Sequence, residues 1–419
     1  MDMDVSDIDK FNDWWITGKV RPALLKNFKR ETYHEINKYM ENRLMILLYG
    51  LRRMGKTTIM YQLIDELLNK TDSKNILYFS FDDTNYDLDD IMEIYQNKVI
   101  NKSFNNTNEK IYIFLDEVQK LKDFENKIKI YYDLYPDIKF ILSGSASISI
   151  RKRSNESLAG RIMSFYIEPL SFAEFLEMNN FNIEEIKHNY NLYKNEIMPM
   201  IDVYSKYGSF PELALNRNDD YARKYIKETV IDRIIYKDIV EEFNVNDLTL
   251  LRSLINVIAN KPGIMLNFRS ISENLGKDQR TISNYFEYLE YSFLIKIIYN
   301  YRENISITMR KLKKCYPITP NIVFALSDKF NDLYPYIIEN LVLMKIKTDY
   351  FYRNNYEVDF IEVHDEKIKA IEIKKTDREM KQLKLFTKKY ENVEPLMVTY
   401  DKEKHGDIDV MPLWVFLLQ

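Results

Sequence analysis

Two glycines, a lysine and a threonine at fixed spacing form the clearest chemical signal in the sequence. Residues 44–58 read LMILLYGLRRMGKTT, so an apolar run leads to Gly50 and then to Gly55, Lys56 and Thr57. Glycines let the backbone turn with its N–H groups facing inward, and the N-terminus of the next helix adds further donors for phosphate oxygens. This phosphate-binding loop (P-loop) predicts that Lys56 reaches the β- and γ-phosphates and that the Thr57 hydroxyl holds Mg²⁺.

The sequence around this loop favours phosphate binding over the alternative, a glycine-rich turn with an incidental lysine. An apolar strand precedes the loop, and a helical pattern from Thr57 to about Asn69 follows it. Strand, loop and helix in this order are the context that the motif requires.

Two carboxylates at the end of another apolar run could complete a nucleotide site. Residues 111–117 read IYIFLDE and end in Asp116 and Glu117. An aspartate at this position can hold the Mg²⁺ shell, and the next glutamate can polarise the attacking water. An acidic pair that merely ends a strand is the alternative, and the P-loop upstream favours the nucleotide site.

Further polar side chains follow the next two predicted strands. Ser143 or Ser145, after the apolar run 138–142, is a candidate contact of the γ-phosphate or of the attacking water. Arg161 and the arginines within 151–153 lie on predicted loops beside the same sheet edge. Each is a candidate arginine finger, in cis or in trans, and the sequence does not choose among them.

The C-terminal hundred residues contain a second acidic pattern. Asp359 lies in one predicted strand, Glu372 and Lys374 form a Glu-x-Lys pair in the next, and Glu339 lies on a mostly apolar helix. This pattern is typical of a metal-dependent nuclease, in which two carboxylates hold Mg²⁺ and a lysine positions the water. Gln382 on the following basic helix could contact phosphate or water. An ordinary hairpin with cross-strand charge pairs is the alternative.

The sequence pattern predicts an α/β fold for the elements that position the P-loop and the acids Asp116 and Glu117. Apolar runs at 75–81, 111–117, 138–142 and 161–167 alternate with helical patterns after the P-loop strand. Such alternation predicts a parallel sheet with ligands at the carboxyl edge of its strands. The adjacent Trp14 and Trp15 are interpreted as an anchor that packs on this domain.

The second half of the chain has a different pattern. Residues 171–247 are mainly helical and predict a lid on the nucleotide-binding core. From 248 to 301, helix, short helix, turn, helix and strand follow one another, which is the order of a winged helix-turn-helix. Protein docking is an alternative use of such a domain. The candidate DNA-contacting residues at the start of its third helix are Lys277, Gln279, Arg280, Thr281 and Asn284.

Composition indicates a folded protein of several domains. The 419 residues are 46% hydrophobic and 30% charged, with one cysteine, four histidines and a net charge of −4. One cysteine excludes an internal disulfide framework and a cysteine-rich zinc site. An acidic N-terminus and the lack of a long apolar run predict a cytoplasmic protein without a membrane partner. Lys and Arg outnumber Asp and Glu eight to four over 277–315 and nine to four over 366–390, which favours local basic faces.

Together these stretches resemble a known family over nearly the full chain. The similarity is to the prokaryotic, largely archaeal, AAA/STAND-like P-loop ATPases that carry a winged helix and a C-terminal PD-(D/E)XK nuclease-like domain. It rests on the order of the stretches DWW, YGLRRMGKTT, IFLDEVQ, LSGSAS, SLAGR, LSFAEFL, GSFPE, IIYKDIVE, IENLV, EVDF and IEIK.

The resemblance implies ATP rather than GTP, with Asp116 as the Mg²⁺-coordinating acid and Glu117 as the catalytic base. It makes Arg53 and Arg161 candidate phosphate sensors, and it places Pro211, in a Gly-x-x-Pro element, near the nucleotide. A nuclease-like C-terminal fold is also implied, as a fold-level analogy. The predicted nucleotide-binding residues are Gly50, Arg53, Met54, Gly55, Lys56, Thr57, Thr58, Ser143, Arg161 and Pro211. The predicted metal ligands are Thr57, Asp116, Asp359 and Glu372, and the predicted catalytic residues are Glu117, Glu339, Asp359, Glu372 and Lys374.

The sequence therefore predicts an α/β protein with four parts. They are a P-loop ATPase domain (1–170), a helical lid (171–246), a winged helix-turn-helix (247–320) and a nuclease-like domain (321–419). The expected function is an ATPase that uses ATP and Mg²⁺ and acts on DNA, with a Mg²⁺-dependent nuclease as an additional hypothesis. The alternative is a nucleotide-dependent scaffold for protein assembly, and a homo-oligomer is compatible with either.

Overall fold

The computed structural model divides the chain into two compact units, Met1–Glu168 and Pro169–Gln419. Each unit is described by itself. The described residues are 4–82, 86–107, 109–145, 158–304, 308, 312–364, 367–375, 380–404 and 406–419, with only the backbone at 145. None of the described helices is both long and apolar enough to cross a lipid bilayer.

The first unit is built on a five-stranded sheet in which every pair of neighbours is parallel. The strand order is β2-β3-β4-β1-β5. Continuous apolar runs form these strands because both faces of a parallel sheet are covered. The five strands are β1 (Met45–Gly50), β2 (Ile76–Ser80), β3 (Ile111–Asp116), β4 (Ile138–Ser145) and β5 (Ile162–Tyr166). The prediction of a parallel sheet is confirmed.

Helices follow or flank these strands, and the longest is the P-loop helix Lys56–Leu67, which begins one residue before its predicted start. The helix Leu88–Ile94 continues as a π-helical turn through Tyr95–Ile100. The remaining α-helices among the described residues of this unit are Val5–Asp9, Trp14–Thr17, Glu31–Asn37 and Phe124–Leu134.

The N-terminal segment covers the free edge of β2. Asn12 donates from Nδ2 to the Tyr78 carbonyl at 2.9 Å and accepts from the Tyr78 N–H at 2.7 Å. The indole N–H groups of Trp14 and Trp15 both donate to the Ile76 carbonyl, at 3.0 Å and 2.8 Å. An edge strand otherwise exposes unpaired backbone groups. The predicted role of the two tryptophans as an anchor is confirmed.

The second unit contains an eight-stranded mixed sheet. Its order is β13-β12-β11-β10-β9-β7-β8-β6. The strands are β6 (Ile264–Met265), β7 (Ile295–Asn300), β8 (Lys313–Pro317), β9 (Tyr350–Arg353), β10 (Glu357–His364), β11 (Lys367–Lys374), β12 (Val393–Thr399) and β13 (Asp409–Pro412).

One parallel contact joins the two halves of this sheet. Tyr299 and Asn300 of β7 pair with Tyr350 and Phe351 of β9. The sheet therefore runs without interruption across the predicted boundary between residues 320 and 321. The four-part division of the chain remains a prediction.

The helices of the second unit include the three expected between 248 and 291. Leu248–Asn260, Phe268–Leu275 and Gln279–Tyr291 match them, and β7 matches the predicted strand. The sequence did not predict β6 and β8. The other helices of the described part of this unit are Phe172–Met178, Ile183–His188, Tyr190–Val203, Pro211–Ala214, Asp219–Tyr225, Ile239–Phe243, Pro320–Leu326, Tyr334–Ile346, Lys381–Lys389 and Leu413–Leu418, with a 3-10 helix at Phe330–Leu333 and π-helical turns at Tyr204–Gly208, Ile226–Ile231 and Ile234–Asp238.

The C-terminal part contains the two predicted strands that carry Asp359 and the Glu372–Lys374 pair, as β10 and β11. They pair antiparallel, with His364 opposite Lys367. β12 then pairs with β11 and β13 with β12, both in parallel, and neither strand was predicted. Glu339 lies on the helix Tyr334–Ile346, as predicted.

Candidate functional site

The P-loop has a backbone that only glycine can adopt at its first position. Gly50 has φ +144°, and a Cβ atom there would lie 2.5 Å from the Ile167 carbonyl oxygen. Gly55 has φ +91° and begins the turn into the P-loop helix. The two glycine positions thus have the conformational requirement that the motif predicts.

Lys56 lies over this loop. Its side chain is only 6% exposed. The ammonium group donates to the carbonyls of Gly50 at 2.9 Å and Leu51 at 3.0 Å. The lysine is therefore held at the loop before any phosphate is present, and the carbonyl contacts can be exchanged for phosphate oxygens.

The residues between the glycines differ in their roles. Arg53 is exposed and has φ +67°. Met54 is fully buried, so only its backbone is available to a ligand. Its carbonyl accepts from Arg30 Nη1 at 3.1 Å, and the same guanidinium atom donates to the Glu168 carbonyl at 2.7 Å. Arg30 is 6% exposed and supports the loop from within the unit. No local motif could have identified it.

Asp116, at the end of β3, is the centre of a hydrogen-bond network. Its Oδ2 accepts from the Thr57 hydroxyl at 2.7 Å and from the Tyr78 hydroxyl at 2.9 Å. Its Oδ1 accepts from the Ser143 hydroxyl. Burial and then the neighbouring Glu117 raise the pKa of Asp116, and the three hydroxyls oppose this rise. The sequence prediction that Thr57 and Asp116 meet is therefore realised in the geometry.

Ser143 and Tyr78 reach the site through this carboxylate. Ser143 is fully buried, so in this conformation it contacts Asp116 rather than the surface of the loop. Tyr78 lies on β2 and is 3% exposed. Sequence analysis missed Tyr78, although a hydroxyl within the otherwise apolar run ILYFS was a detectable signal.

Glu117 follows directly and has a left-handed backbone, with φ +56°. Its N–H donates to Asp116 Oδ1 at 3.1 Å, and its carboxylate accepts from Gln119 Nε2. Strained backbone of this kind is concentrated at functional sites. Glu117 is half-buried beside the Mg²⁺-binding candidates, as a general base would be.

Arg161 lies at the amino ends of the sheet strands, whereas the P-loop follows the carboxyl end of β1. Its carbonyl accepts from the Met45 N–H at 2.8 Å, at the amino ends of β1 and β5. Its guanidinium donates to Asp133 at 2.9 Å and 3.2 Å. The expectation that Arg161 lies near the carboxyl edge is wrong, because β5 begins after this residue and runs parallel to β1. A role in trans stays a prediction, and 151–153 lie outside the described residues.

Pro211 lies in the second unit, at the first position of the helix Pro211–Ala214. The preceding Ser209 is fixed there, since its N–H donates to Asn321 Oδ1 at 2.8 Å and its hydroxyl accepts from Thr319 at 2.6 Å. A contact between Pro211 and nucleotide remains a prediction.

The donor set at the P-loop fits ATP and Mg²⁺. The exposed Thr57 hydroxyl and the Asp116 carboxylate are 2.7 Å apart, and both are oxygen ligands of the kind that Mg²⁺ prefers. Lys56 and the amides at the start of the P-loop helix supply positive charge for phosphates. Thr58, also predicted to bind nucleotide, is half-buried in the first turn of this helix.

The C-terminal acidic residues form a second network. Asp359 Oδ2 accepts from the Ile373 N–H at 2.8 Å, and Glu372 Oε1 accepts from Lys374 Nζ at 2.7 Å. Asp359 is 8% exposed and Glu372 only 2%. The predicted grouping of Asp359, Glu372 and Lys374 is thus present.

Three residues of this network were not predicted from the sequence, namely Lys314, Tyr316 and Glu357. Tyr316 on β8 donates to Glu339 Oε2 at 2.8 Å. Lys314, on the same strand, is 5% exposed, and its Nζ lies 2.5 Å from Glu357 Oε1. A lysine and a tyrosine two residues apart on a strand were a weak signal for a shared polar face.

The charges of this network shift one another's pKa. Burial and then the charge of Asp359 raise the pKa of Glu372 to about 8 and that of Glu339 to about 7. Burial also raises the pKa of Asp359, while Lys314 opposes that rise. Burial alone would lower the pKa of Lys314, yet Asp359, Glu339 and Glu357 together raise it.

Oxygens of this network are already engaged by nitrogen donors of the chain, which argues against a divalent metal there. Among the residues that the structure describes, no three His, Cys, Asp or Glu side chains gather closely enough to hold one ion. N–H groups of the chain and Lys374 already donate to oxygens of Asp359 and Glu372. The prediction that Asp359 and Glu372 hold Mg²⁺ needs only these two carboxylates and stays a prediction. Gln382 is half-buried on the helix Lys381–Lys389.

The predicted DNA-contacting helix has an exposed, capped start. Gly276 ends the preceding helix with φ +62°, and Asp278 accepts from the N–H groups of Arg280 and Thr281 at 2.9 Å and 3.1 Å. Gln279 and Arg280 are exposed, and Thr281 and Asn284 are half-buried. Lys277 pairs with Asp247 at 2.7 Å.

Family comparisons match two parts of the chain. An AAA domain matches residues 42–176, which include the P-loop, Asp116 and Ser143. A domain of unknown function, DUF8612, matches residues 198–332. The AAA match confirms the coarse prediction of an AAA-type P-loop domain. Neither match identifies a winged helix or a nuclease-like domain.

Solved structures give weaker likenesses. The Orc1 protein of Aeropyrum pernix, in complex with DNA, is 12% identical with a TM-score of 0.29, covering 72% of this chain and 93% of that one. Cdc6p of Pyrobaculum aerophilum is also 12% identical, with a TM-score of 0.30, over 77% of this chain and 98% of that one. Similarity at this level carries no argument about function.

Relatives found by sequence similarity are clearer. The uncharacterized protein MJ1637 of Methanocaldococcus jannaschii is 30% identical over 67% of this chain and 64% of its own length. An uncharacterized protein of Haemophilus influenzae is 28% identical over 63% of this chain and 65% of its length. The uncharacterized protein MJ1544 of Methanocaldococcus jannaschii is 30% identical over 91% of this chain and 89% of its length. The chain therefore belongs to the family of MJ1544 and contains an AAA domain at residues 42–176.

Proposed function

We propose that the protein is a Mg²⁺-dependent ATPase whose nucleotide state controls DNA binding by its C-terminal half. The observation that carries the ATPase part is the contact between the Thr57 hydroxyl and Asp116, beside a P-loop lysine that is already in position. Bound Mg²⁺ would neutralise charge that develops on the phosphate oxygens.

Each residue of the first site has a distinct part in this proposal. Lys56 exchanges its carbonyl partners for phosphate oxygens, and Thr57 and Asp116 hold the cation. Glu117 accepts the proton of the attacking water, and its hydrogen bond from Gln119 fixes the direction of the carboxylate. Ser143 and Tyr78 keep Asp116 oriented through its two oxygens.

Exposed polar and basic groups support the DNA part of the proposal. Gln279 and Arg280 stand at the exposed start of the third helix of a helix-turn-helix order, where base contacts arise. A second basic face lies on the helix Lys381–Lys389, where the exposed residues include Lys381, Lys384 and Lys388. DNA phosphates would be suitable partners for Arg280 and for these lysines.

The nuclease hypothesis and the scaffold hypothesis depend on the second network. The nitrogen donors that already engage oxygens of Asp359 and Glu372 argue against hydrolysis of DNA by a metal-bound water. The same observation favours the second candidate function, a nucleotide-dependent scaffold with a catalytically silent nuclease-like domain.

The ATPase proposal is tested by phosphate release from Mg-ATP. We expect the parent chain to hydrolyse ATP and Lys56→Ala to abolish hydrolysis, because the phosphate oxygens lose their buried cation. Lys38→Ala, which alters an exposed lysine of the same unit, is the matched control and should retain the parent rate. Hydrolysis by Lys56→Ala at the parent rate would contradict the assignment.

The DNA proposal is tested by salt titration of binding to a labelled duplex. Phosphate contacts predict that log affinity falls linearly with log salt concentration, with a slope reduced by about 1 in Arg280→Ala. The titration is repeated with ATP on Glu117→Gln, which should bind but not hydrolyse nucleotide. Affinity that is independent of salt and of ATP would overturn the DNA proposal in favour of the scaffold.

A further inference from the structure

The second acidic network contains an internal cation. Lys314 Nζ lies 2.5 Å from Glu357 Oε1 and interacts electrostatically with Asp359 and Glu339. Its side chain is 5% exposed, and the ammonium lies 5.3 Å from the centre of the Phe351 ring. A buried ammonium group requires such partners, because an isolated charge in the interior is very costly.

The second lysine of the network engages the other predicted metal ligand. Lys374 Nζ contacts Glu372 Oε1 at 2.7 Å, and Glu372 Oε2 faces the N–H of Asp359 at 3.4 Å. Asp359 Oδ2 in turn accepts from the Ile373 N–H at 2.8 Å. Oxygen atoms that would face a metal ion thus face nitrogen donors of the same chain.

We propose that Lys314 takes the place of the divalent cation in this site, so that the acidic network is a metal-free, charge-paired centre of the nuclease-like fold. The carboxylates of Glu339, Glu357 and Asp359 are then partners of the Lys314 ammonium rather than ligands awaiting Mg²⁺. Two observations favour this arrangement: the buried ion pair of Lys314 with Glu357, and the nitrogen donors that engage oxygens of Asp359 and Glu372.

This arrangement has a consequence for the function of the second unit. Without a bound divalent ion, no water is activated for attack on a phosphodiester. The C-terminal part would then bind its partner without cutting it. The inference concerns only the second unit and holds whether or not the P-loop hydrolyses ATP.

Binding of Mn²⁺ to the full chain without nucleotide tests the proposal. The signal of free Mn²⁺ in electron paramagnetic resonance gives the number of ions bound per chain. We expect the parent and Asp359→Asn to bind the same number, because the site at Asp359 holds no ion. Loss of one Mn²⁺ per chain in Asp359→Asn would overturn the proposal.

Removal of Lys314 gives the complementary test. Lys314→Met leaves the carboxylates without their ammonium partner, so we expect this variant to bind about one more Mn²⁺ per chain than the parent. The double variant Lys314→Met/Asp359→Asn should lose this additional ion. Lys313→Met is the matched control, since Lys313 lies on the same strand over the rings of Phe268 and Tyr299.

The outcomes separate cleanly. A folded Lys314→Met that gains no Mn²⁺ would show that Lys314 does not replace a metal ion. If Lys314→Met does not fold, which circular dichroism reveals, the comparison of the parent with Asp359→Asn decides the question alone. No ATP is present, so failure here is distinguishable from failure of the ATPase proposal.

Discussion

Asp116 and Asp359 are both buried aspartates at the centre of a hydrogen-bond network, yet their neighbours differ. The charge-neutral hydroxyls of Thr57, Tyr78 and Ser143 surround Asp116. Acids and two ammonium groups surround Asp359, with Lys314, Lys374 and Glu357 acting on its charge. Hydroxyls orient a carboxylate without neutralising it, whereas an ammonium group supplies the opposite charge. If both proposals hold, the first site takes a cation from solution, whereas the second uses the Lys314 ammonium group.

The largest expected effect is a difference in ATP hydrolysis between variants of the two aspartates. Asp116→Asn should lower ATP hydrolysis by about 100-fold or more, because the network loses the charge that would hold Mg²⁺. Asp359→Asn should leave ATP hydrolysis at the parent rate. Phosphate release measures both. Equal loss in the two variants would break the distinction between the sites.

The second prediction concerns the backbone that holds the first site. Gly50→Ala should destabilise the first unit by roughly 1–3 kcal/mol, since the new Cβ meets the Ile167 carbonyl and φ is +144°. Gly406→Ala has open space around it and should change stability little. Chemical denaturation of both variants provides the measurement. A fully stable Gly50→Ala would show that the loop can relax.

The third prediction sharpens the role of the hydroxyls. Tyr78→Phe removes one donor to Asp116 while keeping the ring, so Mg²⁺ affinity in the presence of nucleotide should fall about 10-fold, as for partners of metal ligands elsewhere. Tyr316→Phe removes the equivalent donor to Glu339 and should leave this affinity unchanged. Titration of nucleotide binding with Mg²⁺ tests the pair. An unchanged affinity in Tyr78→Phe would limit the tyrosine to a packing role.

The smallest expected effect is a pH dependence confined to the second unit. Burial raises the pKa of Glu372 from 4.5 to about 8, so the folded state holds this proton more tightly than the unfolded state. The resulting stability is fully present below pH 4.5 and is lost as pH rises through about 8. Glu372→Gln should reduce the decrease of the thermal unfolding temperature between pH 5 and 8.5. The control Glu287→Gln, at an exposed position, should leave this decrease unchanged.

Much of the first unit could be predicted from the sequence. Its strands are continuous apolar runs, and the P-loop combines fixed residue types with fixed spacing, so both are visible locally. The pairing of Thr57 with Asp116 followed from one rule, that the carboxyl ends of parallel strands share an edge. Arg161 was misplaced because it lies where β5 begins, and the start of a strand parallel to β1 lies at the amino ends of the strands and not at their carboxyl ends.

The second unit was predicted less completely. The helices between 248 and 291 carry caps and periodic apolar faces that a sequence displays directly. The two-residue strand β6 and the joining of β7 to β9 depend on pairing between distant segments, and no local pattern encodes such pairing.

The amino-acid sequence by itself determined the P-loop, the acids Asp116 and Glu117 and the identity of the C-terminal acids, because residue type and spacing encode them. Only the tertiary structure decided which charges meet. It brought Tyr78 to Asp116 across neighbouring strands, and Lys314 to Glu357 from strands far apart in the chain. The reason is physical: the chemistry of a carboxylate depends on the groups that replace its water, and folding chooses those groups.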